Sequence, residues 1–181
     1  MSKAVLISIR PKWVEKIANG EKTIEVRKTK PKLQTPFKVY IYCSKAKGRL
    51  VCILRDGDEN YGEIYHGKPV FIKLDEGSVC DMWGKRQKVI GEFICDRIYE
   101  LAPLNHAPDD VEKQACLTRE EIVNYLKGTG YGWHVSDLLV YDTPRELGEF
   151  TGLRNTRFGA GPAKIKRPPQ SWCYVDDLQI K

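Results

Sequence analysis

The chain has 181 residues, 41% of them hydrophobic and 30% charged, a length and balance that suit one globular domain and exclude the weakly hydrophobic, highly charged class of disordered chains. The net charge of +6 hides an asymmetry: residues 1–55 hold fourteen basic residues against three acidic, a net of +11, and the remaining 126 hold sixteen against twenty-one, a net of −5. A basic N-terminal third points to a polyanionic partner such as nucleic acid, a phosphorylated ligand or an anionic membrane surface, against the plainer alternative of a solvated lysine-rich face.

The first ten residues are interrupted by polar groups too early for a secretory signal, and no later run approaches the roughly 20 apolar residues of a membrane span. A soluble, cytoplasmic protein with no membrane partner is expected. Cysteines at 43, 52, 80, 95, 116 and 173 form no C-x-x-C pair, and His66, His106 and His134 are as dispersed. Reduced thiols, with no metal and no cofactor, are the expectation.

Val5 to Ile9 is a short apolar run rich in branched residues and predicts a buried strand. Pro11 then suits a first helical position. Trp13, Val14, Ile17 and Ala18 share one helical face, and Asn19-Gly20 supplies the stop. From Thr23 to Arg27 residues alternate, Ile24 and Val26 on one side and Thr23, Glu25 and Arg27 on the other, as in a half-buried strand. Pro31 and Pro36 bracket a basic loop ahead of an alternating strand over 37–43. Residues 44–49 read as a basic turn before the apolar run Leu50 to Leu54.

Residues 56–68, rich in Asp, Glu, Gly and Tyr, read as an exposed, mobile insertion. Lys88 to Leu101 predicts one long or bent strand broken only by Gly91. Thr118-x-x-Glu121 is a capping box opening a helix that carries Ile122, Val123, Tyr125 and Leu126. Trp133 to Tyr141 and Pro168 to Val175 read as the last strands. Between them 151–167 has five basic residues and no acid, which suits a disordered loop or a phosphate-contacting arm. The expected fold is α+β, a small barrel of five to seven strands with two or three short flanking helices.

Gly20-Glu-Lys-Thr-Ile-Glu-Val-Arg27 fits the pattern G-x-K-x-x-E-x-R, placed after a strand and a helix. With the entry Ser8-Ile-Arg-Pro-Lys12, the strand ending Tyr42-Cys-Ser44, the Gly91-Glu92 strand and the Trp133 strand leading to Tyr141-Asp-Thr-Pro144, the chain resembles the ASCH domains of the PUA-like β-barrel superfamily. The resemblance implies one domain over 1–181, with loop insertions near 56–86 and 151–167. It also implies a cleft lined by the motif's polar residues, in a superfamily associated with RNA or modified nucleobases.

The residues suit that role. Lys22, at a helix-to-strand junction, can set an ammonium on a phosphate or carbonyl oxygen, while Glu25 and Arg27 can offer a base edge an acceptor and a planar donor fork. A structural ion pair on the barrel wall is the plainer alternative. Lys12, Ser44 and Lys45 add polar groups beside the motif, and Tyr42 and Trp133 add aromatic platforms for bases; Gly130 and Gly132 beside Trp133 would let backbone approach a ligand. The candidate ligand-binding set is therefore Lys12, Lys22, Thr23, Glu25, Arg27, Tyr42, Ser44, Lys45 and Trp133.

Some small bacterial members of the family are amidohydrolases that deacetylate N4-acetylcytidine, with the motif lysine as base and a threonine three residues later as nucleophile. Here that position is Glu25, and Thr23 is displaced by about 7 Å along the strand. No catalytic residue is assigned, although Glu112 lies near the place of the family's acid. Tyr40, Tyr42, Lys45 and Lys47 are the side chains a metal-free ribonuclease would draw on. The leading expectation is an RNA- or nucleotide-binding protein. The alternatives are a small hydrolase acting on a modified nucleoside or RNA, and an adaptor whose basic face meets an unidentified protein.

Overall fold

A computed structural model of the chain describes residues 2–45, 50–54, 70–74, 87–101, 106–157 and 159–178. The first half runs β1 (Lys3–Ile9), α1 (Pro11–Ala18), β2 (Ile24–Arg27), β3 (Phe37–Cys43), β4 (Leu50–Leu54), β5 (Val70–Leu74) and β6 (Val89–Cys95). There follow β7 (Ile98–Glu100), α2 (Val111–Ala115), α3 (Arg119–Leu126), β8 (Tyr131–His134), β9 (Ser136–Arg145), β10 (Thr151–Thr156), β11 (Gly159–Lys164) and β12 (Trp172–Asp176).

Seven strands form one sheet in the order β11-β10-β12-β1-β3-β6-β9, in which β1 and β3 are parallel and joined through α1 and β2. A three-stranded sheet β2-β8-β7 and the pair β4-β5 complete the set. The fold is thus mixed α+β with three short α-helices among the described residues. Twelve described strands in three hydrogen-bonded sheets replace the five to seven of one ring. The surplus has a local cause. Lys88 to Leu101, expected as one strand, breaks at Asp96-Arg97, so β6 joins the long sheet and β7 the short one. Trp133 to Tyr141 breaks likewise at Val135, whose N–H donates to Thr23 O at 2.8 Å.

The stretch 151–167, expected as a loop or arm, is mostly the antiparallel hairpin β10–β11 at the sheet edge. Pro162 is tolerated there because an edge strand has one side free of ladder bonds. The insertion expected at 56–68, and the basic turn beyond residue 45, lie outside the described residues.

Strict alternation buries both faces of β1 and β3. Val5, Ile7, Ile9, Val39 and Ile41 face a core with α1's Val14 and Ile17; Ala4, Leu6, Tyr40 and Tyr42 face a second core with Phe150 and Val175. Burial of each such aliphatic side chain contributes roughly 1.5–3 kcal/mol. At Gly91 a Cβ would stand 2.4 Å from Leu139 O, so β6 and β9 pack closer than any side chain allows. Buried Cys95 fills the first core as a small apolar group, its thiol pushed up to about 12 by burial.

Candidate functional site

Helix α1 ends at Ala18 with Asn19 as its C-cap, and Gly20 takes φ +73°, a left-handed conformation that glycine adopts without cost. The N–H groups of Glu21 and Lys22 then both donate to Lys16 O, at 2.9 and 3.0 Å. This tight return delivers Lys22 against the C-terminus of α2, where its Nζ donates to Ala115 O at 2.7 Å. Strand β2 carries the rest of the motif. Ile24 and Val26 pack under α2 and α3 with Val111, Ala115 and Ile122, which turns Glu25 and Arg27 the other way.

Glu25 sits between two cations. Its Oε1 is 2.8 Å from Arg27 NH2 and its Oε2 is 3.4 Å from Lys22 Nζ, with the three side chains only 2–8% exposed. The strand expected to be half-buried is buried on both faces, and mutual neutralisation makes that tolerable. Arg27 NH2 also donates to Ser8 O at 2.8 Å, and NH1 to Ser171 Oγ at 3.3 Å. The Nε of Arg27 is buried without a partner.

The triad forms the floor of a cleft of about 470 Å³ whose wall includes Ser8, Arg10, Trp13, Ser44, Glu121, Tyr125, Pro168, Pro169 and Gln170. Trp13 has Lys22 Nζ at 5.1 Å and Lys12 Nζ at 4.6 Å from its ring, both within cation–π range. Glu121 is committed to the capping box, its Oε2 accepting from Thr118 N–H at 2.8 Å and its own N–H donating to Thr118 Oγ1 at 3.1 Å. The lining thus holds three cations, Arg10, Lys22 and Arg27, against the carboxylates of Glu25 and Glu121. Of the eight N–H protons on the Lys22 ammonium and Arg27 guanidinium, five have partners in the bonds above. The floor can donate further hydrogen bonds to an acceptor-rich or anionic ligand.

Residues 7–67 match the family model of the ASCH domain. Crystal structures of ASCH proteins from Zymomonas mobilis share its fold. A serine-to-alanine mutant superposes with a TM-score of 0.56 at 16% identity, covering 96% of this chain and 88% of its own. A tyrosine-to-phenylalanine mutant gives 0.52 at 15% identity, covering 97% and 91%. At such identities the likeness is one of fold. No curated protein matches the sequence. Among the described residues no helix is long and apolar enough to cross a membrane.

Of the expected site residues, Lys22, Glu25, Arg27 and Ser44 line the cleft. Lys12 stands over Trp13 beside it, and Lys45 is exposed next to Ser44. Thr23 turns away, its hydroxyl donating to Gln114 Oε1 at 3.3 Å. Tyr42 lies in the second core, where burial raises its hydroxyl above the ordinary range. Trp133 pairs with Glu25 across the ladder but is fully buried between Phe37 and Trp172, its Nε1 without a partner. The glycine before it serves packing: a Cβ at Gly132 would meet Ile24 at 2.8 Å.

Glu112 is taken up in joining α2 to α3, its Oε1 accepting from Arg119 N–H at 2.6 Å. Tyr40 lies with Tyr42 in the second core, and Lys47 is outside the described residues. Trp13, Arg10 and Tyr125 are lining residues that periodicity assigned to helix faces or passed over. A signal for Tyr125 was present: it falls off the Ile122 and Leu126 row of α3, and it is 44% exposed.

Proposed function

We propose that this ASCH-domain protein binds RNA or a nucleotide in the cleft, with a base against the Lys22–Glu25–Arg27 floor and a phosphate at the mouth near Arg10 and Lys12. The observation that supports this most is the floor itself. A buried, net-positive triad with unengaged donors borders a space of about 470 Å³, within the 300–1,000 Å³ usual for small-ligand sites. The cleft also has an exposed aromatic ring, Tyr125, on its wall. We take residues 1–181 as one ASCH/PUA-like domain, with the sheets as walls of a barrel and insertions near 56–86 and 151–167. We place it in the cytoplasm, in keeping with the free thiols of Cys95, Cys116 and Cys173.

Fluorescence anisotropy of a labelled single-stranded RNA tests the proposal. Binding is expected at low salt, weakening with a log-log slope of about −0.7 per phosphate contacted, and is expected to be lost in Lys22→Ala plus Arg27→Ala. Because that pair leaves Glu25 buried alone, Tyr125→Ala at the exposed wall serves as the second variant, with an expected loss of about 1–3 kcal/mol of stacking. No binding at low salt, or binding unchanged in both variants, overturns the proposal.

A further inference from the structure

The segment that leaves β2 carries lysines at alternate positions, Lys28, Lys30 and Lys32, all exposed. Each is tied to a tyrosine of a different element. Lys28 Nζ lies 5.3 Å from the ring of Tyr125 on α3, and Lys30 Nζ lies 4.7 Å from the ring of Tyr131 on β8. The backbone N–H of Lys32 donates to the hydroxyl of Tyr174 on β12 at 2.7 Å. Between the first two, Thr29 Oγ1 accepts from Trp172 Nε1–H at 3.0 Å. The segment is therefore pinned at intervals.

A ring attracts an ammonium without cancelling its charge, and it leaves N–H protons free for another acceptor. Lys28 and Lys30 are thus held in place while still positive. Lys30 also meets Glu100 at 3.2 Å, but with both side chains more than 40% exposed that pair is worth little. Tyr125 belongs both to this row and to the cleft wall, so the row begins where the cleft opens. Ammonium groups alternating with aromatic faces suit a single-stranded polynucleotide, whose phosphates and bases use both. An acidic peptide would use the charges alone.

We infer that Lys28, Lys30 and Lys32 form a track for the phosphodiester backbone of single-stranded RNA that enters the cleft, so the ligand is an oligonucleotide and not a free nucleotide. This rests on the cleft binding a nucleotide, and the experiment separates the two. Binding of a labelled single-stranded RNA of about eight nucleotides is measured across salt concentrations, and binding of nucleoside monophosphates by calorimetry. Wild type is compared with a variant carrying Lys28→Ala, Lys30→Ala and Lys32→Ala, and with a charge-matched control carrying Lys113→Ala, Lys127→Ala and Lys166→Ala.

The track variant is expected to bind the RNA at least about tenfold more weakly at low salt and to flatten the slope by about 2, at about 0.7 per lost contact. Its mononucleotide affinity and thermal stability should stay near wild type, and the control should match wild type throughout. An unchanged slope in the track variant, or an equal change in the control, overturns the track and leaves the cleft standing. Equal loss of RNA and mononucleotide binding also overturns it. Wild-type protein that binds neither ligand overturns the cleft reading, and the track with it.

Discussion

On one side of the seven-stranded sheet Glu25 is held between Lys22 and Arg27. On the other, Glu92 of β6 is held between Lys38, at 3.1 Å, and the Tyr141 hydroxyl, which donates to it at 2.5 Å. Lys38 also lies 3.3 Å from Asp177, whose Oδ1 accepts from the Tyr40 hydroxyl at 2.6 Å; that hydroxyl in turn accepts from Leu178 N–H. Both clusters bury charge, but with opposite surpluses. Around Glu92 two carboxylates share one ammonium and take further bonds from the Tyr40 and Tyr141 phenols and, at Asp177, from the Ser2 hydroxyl, and the cluster clasps the C-terminal segment to the sheet. Around Glu25 two cations share one carboxylate, and donors remain for a ligand. Buried charge is common to both clusters, so the proposed site rests on what only the Glu25 cluster has, a surplus of donors bordering a cleft.

The largest expected effect is at Glu25. Glu25→Ala leaves two buried cations facing each other, and should cost about 3–5 kcal/mol in urea denaturation. A loss below about 1 kcal/mol would mean that solvent in the cleft already screens the triad, which removes half of the contrast.

The Glu92 cluster should respond more mildly and without touching the ligand. Tyr141→Phe takes one donor from Glu92 but leaves Lys38, so a loss of about 1–3 kcal/mol is expected, with RNA affinity unchanged. The same cluster sets an alkaline limit. Burial raises the Tyr40 and Tyr141 hydroxyls above their ordinary 10.0, and neighbouring carboxylates add to it. Burial works against the Lys38 ammonium, but Glu92 and Asp177 outweigh it and raise it above 10.5. The folded state therefore holds protons that the unfolded chain releases first. That stability is fully present below about pH 10 and is lost as pH rises toward the folded values. Denaturation midpoints measured from about pH 8 to about pH 11 should fall, and fall less steeply in Tyr40→Phe plus Tyr141→Phe. Equal slopes would show that the phenols do not set the limit.

The smallest effect is expected at an exposed pair outside both clusters. Burial opposes the charge on Asp96, but the 2.6 Å bond and the charge of His134 prevail and hold the carboxyl below its ordinary 3.8. Its contribution is present above that value and lost as pH falls through the folded one. Because the pair is largely solvated, Asp96→Asn should cost under about 1 kcal/mol near neutrality. A thermal melt that drops as far as that of Tyr141→Phe would show that exposure does not rank these groups.

Local rules were legible wherever one period held from end to end. The branched run of β1, the proline entry and glycine stop of α1, the alternation of β3 and the capping box of α3 all lie where their residues place them. The polar face of β2 was legible too, because Glu25 and Arg27 two apart share a side. Trp13 was not: a helical face has a margin, and only the position of β2 shows that this ring borders the cleft. Tyr42 and Trp133 were misplaced for a related reason. An aromatic on a strand serves a ligand or a core equally well by pattern, and here both faces of β3 are covered.

The sequence by itself determined the elements, the basic bias of the first third and the motif from Gly20 to Arg27, since these depend on neighbours within a few positions. Tertiary structure decided what the bias and the motif amount to. It put Ala115 O, Ser8 O and Ser171, from distant parts of the chain, around Lys22 and Arg27. It sent β6 and β7 into different sheets, and it laid Lys28 and Lys30 beside tyrosines about a hundred residues away. Charge is a property of composition. Whether its donors are consumed inside the fold or left facing a cleft depends on which distant carbonyls and carboxylates come within hydrogen-bond reach, and only packing sets that.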